Sequence, residues 1–337
     1  MKKFLILPAV IMLLGSLAGC AKQPAAEEES EIPQLIESTA PILAAGDTVT
    51  IDNTCEFHVN QIEITEHPEY YYDARQGKTY VDFCITYQHL ADYNINADQI
   101  MEGKLIYSGL YEYGFDGIVQ EEEEPVTWNR AHTIEMKQSD TRQIHYFFTV
   151  PKELQESTRM VELHVNIRGN DYRIIVRDGE TGIVPGREDS STSVKDSGDV
   201  ADGEIVVTDN MEFYVEYSEF TRDVIPPNRG SGYNHYAAED GTILLDLCIA
   251  CTNRGTEKIT ANKAVVSADL KQAEASTHAA EENNRSTFES PSLVNILPLC
   301  TEYIHCIFQL PEDMATNDEP LTISFKVDGN KYTYTVK

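Results

Sequence analysis

The sequence predicts an all-β chain of two tandem antiparallel sandwiches, and three observations carry that reading. The chain repeats itself, its apolar residues alternate with polar ones over short runs, and no long stretch keeps a helical period. Composition allows such a core. Of 337 residues, 41% are hydrophobic and 24% charged, which excludes wholesale disorder. The 18 Tyr, with many Val, Ile and Thr, favour strands. The balance of 26 Lys and Arg against 56 Asp and Glu, a net charge of -30, excludes a nucleic-acid binder, because phosphate backbones are held by clustered cations.

Taken in order, the first element is residues 1–20. Lys2 and Lys3 precede an apolar stretch from Phe4 to Ala18, which suits a signal-peptide core and is short for a membrane-spanning helix. It ends in Leu17-Ala18-Gly19-Cys20, which resembles a bacterial lipobox. The resemblance implies cleavage before Cys20 and lipidation of its thiol, with palmitate-type acyl chains holding the protein to the cell membrane on its extracytoplasmic face. More than one chain is needed, since a single acyl chain binds only marginally. Residues 21–45, with Glu27-Glu28-Glu29 and three prolines, lack a period and read as a flexible tether reaching roughly 25–30 Å.

The body is a duplication. Gly46 to Asn53 aligns with Gly203 to Asn210, and Glu56-Phe57-His58-Val59 with Glu212-Phe213-Tyr214-Val215. Tyr80-Val81-Asp82-Phe83-Cys84-Ile85 aligns with Leu244-Leu245-Asp246-Leu247-Cys248-Ile249. From Ile144-His145 on Ile304-His305 to the end the two copies run without a gap. Each therefore holds one domain, residues 46–178 and 203–337. In each, Val161, Leu163, Val165 and Ile167, or Leu321, Ile323, Phe325 and Val327, alternate with polar residues, the period of a strand with one buried face. A Gly-Asn pair follows in both, signalling a tight hairpin, and Pro151 and Pro311 suit the start of a short helical turn. Residues 179–202, with Pro185-Gly186 and many Ser and acids, read as a solvated linker. Each copy is expected to fold alone.

The Val81-Asp82-Phe83-Cys84-Ile85 and Leu245-Asp246-Leu247-Cys248-Ile249 strands, with a late strand closing on Pro, resemble the telokin-like, immunoglobulin-like domains of bacterial surface lipoproteins. The resemblance implies two immunoglobulin-like sandwiches of no assigned activity.

The sequence offers little chemistry. Cys248 and Cys251 have redox spacing, but within a strand they point to opposite faces. Gln76-Gly77-Lys78-Thr79 imitates a phosphate loop whose first Gly is missing. No zinc-protease pattern and no nucleophile elbow occur. His145 and His305 fall on the polar parity of their strands and read as surface or edge residues, and the Glu121–Glu124 run reads as a solvated loop. Tyr87 and Tyr146 of the first copy become Cys251 and Cys306 in the second, a paired exchange that suggests touching positions; free buried thiols packing as small hydrophobes are the favoured reading, and a Cys251–Cys306 disulfide is the alternative. The loops carrying Tyr70, Tyr71 and Tyr72, and Tyr233, His235 and Tyr236, would either present rings to a ligand or cap the sandwich. The expected function is a non-enzymatic binding or spacing module at the cell surface, needing no cofactor or metal, with a membrane and an envelope glycan or protein as partners. The alternative is a ligand-capturing accessory subunit of an envelope transporter or hydrolase.

Overall fold

A computed structural model describes residues 34–336, apart from 69–70, 72, 75–76, 122–126, 187–191, 228–232, 271–272, 275–276, 282–287 and 319. Its architecture is all-β, and the duplication is visible strand by strand. In the first copy the larger sheet runs Thr48–Ile51, Cys55–Thr65, Lys78–His89, Thr141–Pro151, Phe115–Glu121 and Thr127–Arg130, all antiparallel. The smaller sheet runs Ile42–Leu43, Asn170–Arg177, Val161–Ile167, Met101–Tyr107 and Tyr111–Tyr113. In the second copy the larger sheet contains Met211–Thr221, Thr242–Asn253 and Thr301–Pro311 side by side, and the smaller one pairs Val265–Leu270, Thr322–Val327 and Asn330–Thr335. In each copy a short leading segment joins the last strand in parallel, Ile42 opposite Arg173 and Gly198 opposite Tyr332. Residues 36–43, expected to be part of a flexible tether, instead pack on the first copy, where Leu43 enters the core.

Alternation places the cores where the sequence puts them. Val81, Phe83, Ile85 and Tyr87 point into the first core with Leu163, Val165 and Ile167; Leu245, Leu247, Ile249 and Cys251 point into the second with Ile323, Phe325 and Val327. Single 3₁₀ turns follow Pro151 and Pro311, as expected. The hairpins are shifted by one residue from the Gly-Asn reading. Ile167 faces Asn170 and Val327 faces Asn330, so the turn residues are Arg168-Gly169 and Asp328-Gly329. All four have positive φ, the conformation of the two-residue turn that matches strand twist. Both copies also carry the same bulge, which leaves Asn60 and Glu216 out of the ladder between Val59 and Gln61 and between Val215 and Tyr217.

The stretch expected to be a solvated linker is used by both copies. Gly182 N–H donates to the Ser108 carbonyl and Val184 N–H to the Tyr111 hydroxyl. Gly179 runs so close to the first copy that a Cβ would lie 2.1 Å from the Thr158 carbonyl oxygen. Thr192–Val194 and Gly198–Val200 then add edge strands to the two sheets of the second copy. Runs of three residues are too short for a period, so their polar composition concealed them. Residues 187–191 lie outside the described residues.

The copies also touch directly. Lys78 of the first and Glu302 of the second form an ion pair, with side chains only 3% and 1% exposed. The buried Tyr113 hydroxyl donates to the Pro298 carbonyl at 3.0 Å, and Leu297 and Leu299 pack against the first core. Gln34 to Lys337 thus behaves as one compact unit. Separating the copies would leave each holding half of a desolvated ion pair. Removing one partner of such a pair costs about 3–5 kcal/mol. Lys78→Met is therefore expected to lower the unfolding free energy by about that amount in urea titration, and Lys78→Met with Glu302→Leu to recover most of it. A single variant within about 0.5 kcal/mol of the parent would show that the pair contributes nothing.

Candidate functional site

The outward parity of each central strand carries the molecule's most concentrated chemistry. In an antiparallel sheet the residue facing Cys84 is His145, and Asp82 lies two residues before Cys84 on the same face. His145 Nδ1 is 3.0 and 2.8 Å from the two Asp82 carboxylate oxygens, and Nε2 is 3.4 Å from Cys84 Sγ. The second copy repeats this arrangement. His305 Nδ1 lies 3.1 and 2.9 Å from the Asp246 carboxylate oxygens and Nε2 lies 3.9 Å from Cys248 Sγ. An Asp–His–Cys row thus crosses the same two strands in both copies.

These histidines are not on the surface, contrary to the reading from strand parity. His145 and His305 are 4% and 2% exposed, and Cys84 and Cys248 are 0% and 1%. Parity names the face and says nothing of what covers it. In the first copy the cover is the loop after Thr65. Tyr71 stacks on Phe147 at 4.6 Å, Tyr80 meets both rings edge-on, and the Tyr71 hydroxyl donates to Asp116 at 2.9 Å. In the second copy Tyr236 packs on Phe288, and Phe288 packs on His305 at 4.9 Å. The buried imidazole is held positive. Burial lowers the pKa of His145, but the hydrogen bonds from Asp82 and Cys84 outweigh burial and push it up to about 9.

More polar groups converge on Cys84. Asn60, the bulge residue, aims Nδ2 at Sγ from 3.3 Å, and Gln143 Nε2 lies 3.2 Å from Sγ and 3.2 Å from His145 Nε2. The bulge turns Asn60 toward the sulfur, a common use of bulges beside functional groups. The equivalents of Asn60 and Gln143 in the second copy are Glu216 and Tyr303. Nucleophile, base and orienting carboxylate are the parts of a covalent catalyst. Here the sulfur has no exposed surface, so a polymeric substrate has no route to it.

The remaining sequence-derived residues fall as follows. Tyr71 and Tyr236 face inward as covers, while Tyr233 is exposed with its ring 5.7 Å from that of His235, which pairs with Asp223. Tyr70, Tyr72, Cys20 and Glu122 to Glu124 lie outside the described residues. Cys251 and Cys306 are buried thiols without a disulfide. Both face the second core, but Cys306 stands opposite Leu247, four residues from Cys251. At about 3.3 Å per residue they are about 13 Å apart along the strand, far beyond a disulfide's reach. Shared parity does not mean contact. Cys248 and Cys251 do take opposite faces, as their spacing requires. Among the described residues no group of His, Cys, Asp and Glu is arranged to hold a metal ion.

The smaller sheet of the first copy has a separate groove of about 820 Å³, walled by residues 36–41 and lined by Glu102, Lys104, His164, Asn166, Asp171 and Tyr172. Arg173 bonds the buried Glu162 carboxylate and donates from Nη1 to the carbonyl of Ser38, one of the wall residues, at 2.7 Å.

Two outcomes follow. The His145 imidazole should stay protonated through pH 8 and lose its proton near pH 9 when its Cε1 proton is followed by NMR; a midpoint at or below 6.5 would contradict the buried ion pair. Because the folded value lies above the unfolded one, the stability His145 adds is complete below about pH 6.5 and fades as pH rises through 9. Tyr71→Ala should lower the melting temperature by several degrees, about 1 kcal/mol, through the lost stacking on Phe147. An unchanged melting temperature would count against Tyr71 as a stabilising cover.

No known family profile matches this chain, and no curated protein matches it. Among solved structures it is similar to an uncharacterised β-sandwich protein from Clostridium difficile 630, at 27% identity over 46% of this chain and 100% of that one, with a TM-score of 0.38.

Proposed function

We propose that this chain is a lipid-anchored, extracytoplasmic binding or spacing module built from two immunoglobulin-like sandwiches, and that it is not an enzyme. The observation that carries this reading is the apolar run ending in Leu17-Ala18-Gly19-Cys20, followed by an acidic, proline-containing tether. The net charge of -30 adds repulsion from anionic lipid, so the sandwiches stand away from the surface that holds them. Burial of Cys84 and Cys248 supports the non-enzymatic reading, because the Cys–His–Asp row in each copy is closed to a macromolecular substrate. The groove beside residues 36–41 supports the binding reading. It holds side chains of both signs and the half-buried Tyr172 ring, which suits a polar envelope glycan or peptide.

The test is the anchor. In cells fed labelled palmitate, the parent protein should carry label and sediment with membranes. Cys20→Ala should carry none and appear as uncleaved or released protein. Label retained by Cys20→Ala would remove the basis for the proposal.

A further inference from the structure

Six cysteines fall among the described residues, all of them buried thiols. Cys55, Cys251 and Cys306 lie in the apolar cores, and Cys300 is buried near the Lys78–Glu302 pair. Burial pushes the Cys55, Cys251 and Cys306 thiols up, and Cys300 up to about 12, as expected of inert structural cysteines. Cys84 differs in its neighbours. Three nitrogens, Asn60 Nδ2, Gln143 Nε2 and His145 Nε2, lie 3.2 to 3.4 Å from one sulfur. Asp82 fixes the imidazole so that Nε2 faces that sulfur. The second copy keeps Asp246, Cys248 and His305 in the same places although it has exchanged Tyr87 and Tyr146 of the first for Cys251 and Cys306. A duplicated sandwich that repacks its core yet retains this buried row retains its chemistry.

We infer that Cys84 is an oxidisable thiol that reacts with small neutral hydroperoxides. The absence of exposed surface on Cys84 decides the size of the reagent, since only a molecule of a few atoms can penetrate to a closed sulfur. The donor set decides its kind. With the shared proton on His145, the sulfur's electron pair attacks one peroxide oxygen; the O–O bond breaks and an S–O bond forms. The departing hydroxide takes the proton from Nε2 and leaves as water. Sulfur loses two electrons, peroxide gains two, and Cys84 ends as a sulfenic acid beside a neutral imidazole still held by Asp82. The Asn60 and Gln143 amide nitrogens, at 3.3 and 3.2 Å, hold the attacking sulfur in place. The reaction consumes one hydroperoxide per chain and needs no catalytic turnover, so it stands apart from the binding role.

The experiment exposes the full mature protein in detergent to hydrogen peroxide, traps sulfenic acid with a dimedone probe and reads each cysteine by peptide mass spectrometry. Cys84 should be labelled at least tenfold faster than Cys55, Cys251, Cys300 and Cys306, and faster than Cys248, whose sulfur–imidazole separation is longer. In urea the difference should vanish. His145→Gln should slow Cys84 at least tenfold. Because that variant strands Asp82 and can misfold, Gln143→Leu serves as the second probe. It changes a half-buried side chain and should slow Cys84 several-fold with the melting temperature nearly unchanged. Labelling of Cys84 no faster than Cys55, Cys251, Cys300 and Cys306, or an unchanged rate in folded Gln143→Leu, would overturn the inference.

Discussion

A sheet whose central strands are covered on both faces must bring a partner to each charged group those strands bury. That constraint organises this molecule. The Lys78–His89 strand is buried along almost its whole length, yet its outward parity includes Asp82, Cys84 and Thr86. A carboxylate cannot stay charged in such a place unless something positive meets it. His145, brought opposite by the antiparallel register, is that group, and its other ring nitrogen is then turned to Cys84. The bulge at Asn60, the loop bearing Tyr71 and the ring of Phe147 complete the enclosure. The second copy meets the same demand at Asp246 and His305, and closes it with Phe288 and Tyr236.

Much of this was legible in the sequence and some was not, for physical reasons. The duplication, the core-facing parity of Val81, Phe83 and Ile85, and the turns after Pro151 and Pro311 follow from periods and local stereochemistry. His145 and His305 were misread because alternation assigns a side chain to a face without saying whether that face is wet. The suggested contact between Cys251 and Cys306 was a misreading, because alternation says nothing of separation along the strand, whereas their reading as buried thiols agrees with the structure. The three-residue strands at 192–194 and 198–200 lie in Ser- and Asp-rich sequence, where pairing with an existing edge, and not residue preference, decides the structure. The Lys78–Glu302 pair joins residues 224 positions apart and leaves no local trace.

The contact between copies changes how the duplication should be understood. Two sandwiches on a loose string would share only a linker. Here residues 179–184 lie along the first copy, residues 192–200 complete the edges of the second, and Tyr113 reaches the Pro298 carbonyl across the join. The two halves are thus packed into one body, and anything that meets the chain meets both together.

The exchange of Tyr87 and Tyr146 for Cys251 and Cys306 has a consequence beyond packing within each copy. Neighbouring domains of one ancestry are prone to trade strands while folding, because each offers the other a near-matching sheet. These two cores cannot be interchanged. A hybrid that drew the Lys78–His89 strand into the second sandwich would force a tyrosine into the space of a buried thiol, and the reciprocal hybrid would leave a void. Divergence at two inward positions therefore penalises a mixed sandwich and favours each strand staying with its own half of the chain.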